Sequence, residues 1–127
     1  MIDLDHFKKL NDRYGHAAGD RVLRAVGERI SNAVRAEDTP ARYGGEEFAV
    51  VLRKATADQA VEIAERIRVQ IAEIPPVEMG IAERITVSIG VAVAEVRVGE
   101  VPILLAAADE ALYSAKRQGR NRVVLAA

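Results

Sequence analysis

The sequence predicts an α/β fold, an α+β sandwich in which helices pack on a mixed central sheet. Three observations predict it. Helical apolar stripes alternate along the chain with short Val- and Ile-rich runs, the pattern of helices layered on strands. A Gly44-Gly45 pair sits between two strand candidates. And 127 residues, 50% of them apolar, suffice for one sizeable core in one domain and exclude wholesale disorder.

The elements follow in order. Met1-Ile2 runs at once into Asp3-Leu4-Asp5, so the first strand reads as short and clipped at its start. Residues 7–14 form a short helix ended near Gly15. Residues 18–34 form the first long helix, with Val22, Leu23, Val26, Ile30 and Val34 on one face. Residues 39–43 and 48–52 are strands joined by Gly44-Gly45, a hairpin expected to use the positive φ that glycine accepts. The second long helix starts at Thr56 or Ala57, runs to Ile74, buries Ala60, Ile63, Ala64, Ile67 and Ile71, and stops at Pro75-Pro76. Residues 85–94 read as a central strand, preceded by a short edge segment over residues 77–81. Pro102 suits the first turn of a third long helix reaching about Lys116; Gly119 ends it, and residues 123–125 form the last strand. Phe48 and Tyr113 are expected in the core.

Composition narrows the function. Lys and Arg total 18 against 19 Asp and Glu, a net charge of -1, which argues against a nucleic-acid-backbone binder. With no cysteine, disulfide scaffolds, thiolate zinc sites and cysteine nucleophiles are excluded. His6 and His16 are the two histidines, too few for a His-rich metal site. Aromatics at 4%, without Trp, weaken any base-stacking binder of single strands. No apolar run approaches the roughly 20 residues of a membrane span, and no signal peptide opens the chain, so a soluble cytoplasmic protein without membrane insertion is expected.

Three constellations carry chemistry. In Asp3-Leu4-Asp5-His6-Phe7-Lys8, two carboxylates close a strand and are read as pointing to opposite faces, so that one of them addresses a site at the strand's end. The helix that follows offers free N–H groups at His6, Phe7 and Lys8 to phosphate oxygens. In Gly44-Gly45-Glu46-Glu47-Phe48, adjacent carboxylates sit on a tight turn, the oxygen donors that Mg²⁺ takes alongside substrate phosphates. Around Gly119, Lys116, Arg120 and Asn121 follow a helix end, where Lys116 and Arg117 complement the dipole and Lys116 and Arg120 can neutralise phosphate. Each pattern also has a plain reading as a solvated strand end, hairpin tip or helix terminus. Together they point to metal-assisted phosphoryl or nucleotidyl transfer.

With these residues in view, the chain resembles the GGDEF family, the diguanylate cyclases. The resemblance rests on Asp3-x-Asp-x-Phe-Lys-x-x-Asn11, Tyr14-Gly15-His16-x-x-Gly19-Asp20 and Arg42-Tyr43-Gly44-Gly45-Glu46-Glu47-Phe48. Thr86-Val87-Ser88-Ile89-Gly90-Val91 and Ala108-Asp109-x-Ala111-Leu112-Tyr113-x-Ala115-Lys116-x-x-Gly119-Arg120-Asn121 complete it. It covers essentially all of residues 1–127 and is especially close to response-regulator-type members with a GGEEF motif.

The resemblance implies a fold like the palm of polymerases and class III nucleotidyl cyclases, and condensation of two GTP into cyclic di-GMP and two pyrophosphates. It implies Mg²⁺ (or Mn²⁺) held by Asp3, Glu46 and the Leu4 carbonyl, with Glu47 as a further metal contact or an aid to deprotonating the 3′-hydroxyl. Asn11 and Asp20 would bind guanine, whose N1–H and N2–H₂ donors suit a carboxylate. Lys116, Arg120 and the N–H groups of Phe7 and Lys8 would hold the phosphates. Catalysis would need a homodimer, each domain carrying one GTP. Arg35-Ala36-Glu37-Asp38 matches the family's RxxD product-inhibition site, with Arg66 as its additional arginine. His16 is expected to be structural. Relative to the family, the N-terminal segment that links to a sensor or receiver domain is missing, so a domain of residues 1–127 lacking that segment is expected. The competing reading is a non-catalytic domain that binds or senses GTP or cyclic di-GMP.

Overall fold

The computed structural model describes residues 1–97 and 99–127. Along the chain come β1 (Ile2–Leu4), α1 (Phe7–Tyr14), α2 (His16–Ala33), β2 (Thr39–Arg42), β3 (Glu47–Val51), α3 (Ala57–Ala72), β4 (Val87–Val91), α4 (Val101–Arg117) and β5 (Val123–Leu125). The strands make one sheet in the order β2-β3-β1-β4-β5. β1 is antiparallel to both its neighbours, β2 is antiparallel to β3, and β4 is parallel to β5. The expected mixed sheet is therefore present, with the three-residue β1 at its centre.

Alternation along the strands sorts side chains to two faces. Ile2 lies opposite Phe48 and Ile89, and these join Val22, Val26 and Ile30 of α2 and Ile63, Ile67 and Ile71 of α3 in the main core. Each such fully buried side chain contributes about 1.5–3 kcal/mol. The other face carries α4, whose Ala108 and Leu112 pack with Met1. There α4 crosses β4 so closely that a Cβ on Gly90 would lie 2.1 Å from the Ala108 carbonyl oxygen and 2.2 Å from the Leu112 nitrogen. This glycine sets the distance between sheet and helix.

Local signals explain the helix bounds. Gly15 (φ 87°, ψ 166°) breaks α1 from α2 in a conformation that L-residues avoid. Thr56 opens α3 with a capping box: its side chain accepts from the Gln59 N–H at 3.2 Å, and the Gln59 side chain accepts from the Thr56 N–H at 3.0 Å. Pro102 stands in the first turn of α4.

Four expectations are corrected. Residues 77–81 are not an edge strand; Pro76–Met79 is a 3₁₀ turn ending at Gly80 (φ 68°), because the fixed φ and missing N–H of consecutive prolines favour a turn over a ladder. Met79 is nevertheless fully buried. The central strand is trimmed from residues 85–94 to Val87–Val91. Tyr113 is 62% exposed, with the Arg117 guanidinium 5.8 Å from its ring, whereas Phe48 is buried as expected. Finally, Gly44 and Gly45 do turn the β2–β3 hairpin but without positive φ. Their smallness matters through close approach: a Cβ on Gly44 would come 3.1 Å from Glu47 Oε2.

Candidate active site

Asp3 is the buried carboxylate at the centre of the sheet, 3% exposed, on the α4 face directly across from Glu47 of β3 and Ser88 of β4. The short β1 puts it there, because Ile2 and Leu4 on either side are committed to the main core. Its Oδ2 accepts from the Lys116 ammonium of α4, while its Oδ1 is buried without a hydrogen-bond partner. Glu46 is beside it at the mouth of the hairpin, where its carbonyl accepts from the Leu4 N–H at 3.2 Å. Burial, and then the nearby charge of Asp3, push the Glu46 carboxyl above the usual carboxylate range. Arg42 holds the turn by donating to the Gly44 carbonyl at 3.1 Å and the Gly45 carbonyl at 2.7 Å.

Next to Glu46 opens a cavity of about 500 Å³, lined in part by Phe7, Lys8, Asn11, His16, Asp20 and Glu46. This is the size range of a small-molecule site. Asn11 enters from α1 with a buried Oδ1 that lacks a partner. It fits only because residue 19 is glycine: a Cβ there would lie 1.9 Å from that oxygen. Asp20 and His16 come from the first turns of α2, and His16 is exposed. So α1, α2 and the hairpin tip bring five expected residues, Phe7, Lys8, Asn11, Asp20 and Glu46, to one cavity.

The donor set fits a hard divalent cation. An orphaned buried carboxylate oxygen on Asp3, a second carboxylate whose pKa is raised by burial and then by the first, and a neighbouring backbone strand offer oxygen donors only. Among the described residues no three His, Asp or Glu side chains form a ready cage for a metal ion.

Asp5 departs from expectation. Asp3 and Asp5 share a face, as residues two apart on an extended chain must. Ser88, opposite Asp3, donates to Asp5 Oδ1 at 2.7 Å, and Thr86 donates to Asp5 Oδ2 at 2.7 Å. What separates the two carboxylates is their partners: Asp5 is saturated by hydroxyls, and Asp3 keeps a free oxygen. Arg120 is exposed on the loop after α4 with φ 64° and does not line the cavity.

A second cluster lies past the C-terminal end of α2, roughly 20 Å along the helix from Asp20 by its rise per residue. Arg35 forks onto Asp38, Nε to Oδ2 at 2.9 Å and Nη2 to Oδ1 at 2.8 Å. The Arg35 N–H also donates to Asp38 Oδ2, at 2.9 Å. The Arg35 hydrogen bonds hold the Asp38 carboxyl at about 2. Arg66 of α3 donates through Nε to the Ala33 carbonyl at 2.9 Å, satisfying an end group of α2. The Asp5 hydroxyl pair, the Arg42 clamp and the Gly19 clearance carry no signal in the sequence beyond membership of the motifs, since each depends on a partner distant in the chain or folded against it.

The profile described as "Diguanylate cyclase, GGDEF domain" matches residues 1–122. The chain belongs to the GGDEF domain family. Among its relatives, diguanylate cyclase A of Treponema denticola is 46% identical over 125 residues, covering 98% of this chain and 34% of that protein. The response regulator PleD of Caulobacter vibrioides is 46% identical over 127 residues, covering 98% and 28%. This GGDEF domain thus spans about a third of the length of these curated relatives. The crystal structure of the DgcB GGDEF domain from Caulobacter crescentus in complex with c-di-GMP superposes with a TM-score of 0.88 at 39% identity, over 98% of this chain and 74% of that one. No helix among the described residues is long and apolar enough to cross a membrane.

Proposed function

We propose that this GGDEF domain is a diguanylate cyclase module that binds one GTP with Mg²⁺ or Mn²⁺ and condenses it with the GTP of a second copy into cyclic di-GMP. The observation that carries the reading is the cavity that joins Asn11 and Asp20 to Glu46, with a buried unpartnered oxygen on Asn11 in its lining and another on Asp3, the carboxylate beside Glu46. An unpaired buried oxygen is costly unless a ligand satisfies it.

Asp20 accepts from the guanine N1–H and N2–H₂, and the Asn11 amide complements them. The N–H groups of Phe7 and Lys8, at the free N-terminus of α1, receive phosphate oxygens. Asp3, Glu46 and the Leu4 carbonyl would hold the cation, with Glu47 beside them; when bound, it supplies Lewis-acid polarisation and charge neutralisation at the α-phosphate. Lys116, paired with Asp3, would turn its ammonium to the phosphates together with Arg120. Each 3′-hydroxyl attacks the α-phosphate held by the other copy, with pyrophosphate leaving, so the two cavities must face each other in a homodimer. Arg35, Asp38 and Arg66 would form a product-inhibition site for cyclic di-GMP; Asp38 engages Arg35 Nε and Nη2, so a ligand would meet Arg35 through Nη1 or displace the carboxylate. An N-terminal sensor or receiver domain in a longer protein would set dimer alignment in the cytoplasm.

Incubation with GTP and Mg²⁺ tests this, scored for cyclic di-GMP over a series of protein concentrations. Product at a specific activity that rises with concentration is expected of two facing half-sites. GTP bound without turnover, even when the domain is fused to a constitutive dimeriser, would leave a nucleotide-binding module instead.

A further inference from the structure

The loop after α4 runs through left-handed backbone that glycine and asparagine accept but that disfavours the arginine between them. Gly119 (φ 119°), Arg120 (φ 64°) and Asn121 (φ 47°) take positive φ in succession, and two of the three carry side chains. Such backbone persists only where surrounding contacts over-determine it. Those contacts come from across the molecule. The Asn121 N–H donates to Asp5 Oδ2 at 3.0 Å. The Asn121 side-chain oxygen accepts from Arg68 Nη1 of α3 at 3.0 Å, and Arg68 is itself paired with Glu65 at 2.8 Å. Asp5 in turn is fixed by Thr86 and Ser88 at the start of β4. Asp5 also immediately precedes His6, the left-handed residue (φ 57°) that turns the chain into α1.

We propose that Asp5 is a positioning residue that ties the Gly119–Asn121 loop to the β1–α1 turn. It thereby sets Arg120 in register with the phosphate-facing N–H groups of Phe7 and Lys8, with Arg68 as the loop's second tether. The geometry explains why a carboxylate stands at position 5. Its two oxygens accept three hydrogen bonds from two different segments, the hydroxyls of Thr86 just before β4 and Ser88 within it and one amide on the loop, which an amide side chain with a single acceptor oxygen cannot reproduce. Asp3 and Asp5 then divide the work on one sheet face: Asp3 keeps an oxygen free, and Asp5 spends both on alignment. The proposal rests on the reading of Arg120 as a phosphate ligand, and the experiment separates the two.

The test compares wild type, Asp5→Asn and Arg68→Ala, each checked for folding by thermal melting. Amide hydrogen exchange on the nucleotide-free proteins reads the tether alone. The Asn121 amide is expected to be protected in wild type and to exchange about tenfold or more faster in D5N, the size of a lost charge-assisted hydrogen bond. Calorimetry with GTP and with GMP, in Mg²⁺, reads the consequence. D5N is expected to weaken GTP about tenfold or more while leaving GMP within about twofold, because guanine is held elsewhere; R68A does the same more weakly. Equal exchange of the Asn121 amide in wild type and D5N overturns the tether. Faster exchange with an unchanged GTP-to-GMP ratio overturns the positioning role. If wild type binds neither nucleotide, the cyclase reading fails, and the exchange result still decides the tether. Should D5N not fold, R68A, on the surface of α3, carries both arms: unchanged exchange at Asn121 together with an unchanged ratio overturns the proposal.

Discussion

At the scale of single residues, the site is built from carboxylates and amides whose partners differ more than their identities do. Glu46 has its carboxyl pushed up by burial and by the Asp3 charge. A carboxyl whose folded pKa lies above its unfolded value takes up protons on folding, so it contributes stability at low pH that is lost as pH rises through the folded value. At neutral pH the metal-free protein therefore carries the cost of burying this charge beside Asp3. Glu46→Gln is expected to raise the melting temperature of the metal-free protein at neutral pH, and to lower cyclic di-GMP formation by about 100-fold or more, since a neutral amide is a poor ligand for a hard cation. A lower melting temperature would show that Glu46 stabilises the corner rather than straining it. Gly19 offers a second test. Its missing Cβ leaves the room that Asn11 fills, so Gly19→Ala displaces the Asn11 amide. GTP affinity in calorimetry is expected to fall about tenfold, the worth of one lost hydrogen bond in a desolvated site.

At the scale of elements, two contacts decide stability. The approach of α4 to β4 at Gly90 is set by backbone atoms, which cannot step aside as a flexible side chain can. Gly90→Ala must lift α4 from the sheet, and with it Lys116; a loss of about 3 kcal/mol or more is expected in chemical denaturation. The Thr56 capping box is local and exposed by comparison, so Thr56→Ala is expected to cost about 1 kcal/mol. If the two substitutions cost the same, the α4–β4 contact is softer than its geometry implies. The helices themselves were legible, because stripes such as Ala60, Ile63, Ala64, Ile67 and Ile71 bury as their spacing requires. The segment at residues 77–81 was not: Val77, Met79 and Ile81 alternate like a strand, but the two prolines before Val77 and the burial of Met79 settle a 3₁₀ turn. Tyr113 likewise lies within an apolar helix yet faces outward, since Ala111, Leu112 and Ala115 take the contacts with the sheet side.

At the scale of the whole molecule, the two charged clusters lie at opposite ends of α2 and respond to acid differently. Asp38, held at about 2 by Arg35, is depressed below its unfolded value. Its contribution to stability is complete above about pH 4 and is lost as pH falls toward 2. Wild type is therefore expected to lose stability over that window more steeply than Asp38→Asn, as read from urea midpoints at successive pH values. Parallel curves would mean that the Arg35–Asp38 fork adds nothing to folding. The near-neutral total of 18 basic and 19 acidic residues conceals this separation of an acidic corner from an arginine cluster.

From sequence alone came the layered fold class, the helical stripes, the absence of thiolate chemistry and the interest of Phe7, Lys8 and Glu46, because periodicity and residue chemistry are local properties; Asn11 and Asp20, which line the same cavity, came from the family resemblance. Tertiary structure decided the rest. It placed β1 at the sheet centre, so that a three-residue strand could bury Asp3 between Glu47 and Ser88. It reversed the expected division between Asp3 and Asp5: alternation puts them on one face, and only the hydroxyls of Thr86 and Ser88, more than eighty residues away, distinguish the saturated carboxylate from the free one. Glycine roles also had to wait, since Gly19, Gly44 and Gly90 are required by what approaches them rather than by their own φ. The physical reason is the same throughout. A side chain's burial and its hydrogen-bond partners are set by segments far away in the chain, and spacing along one segment does not encode them.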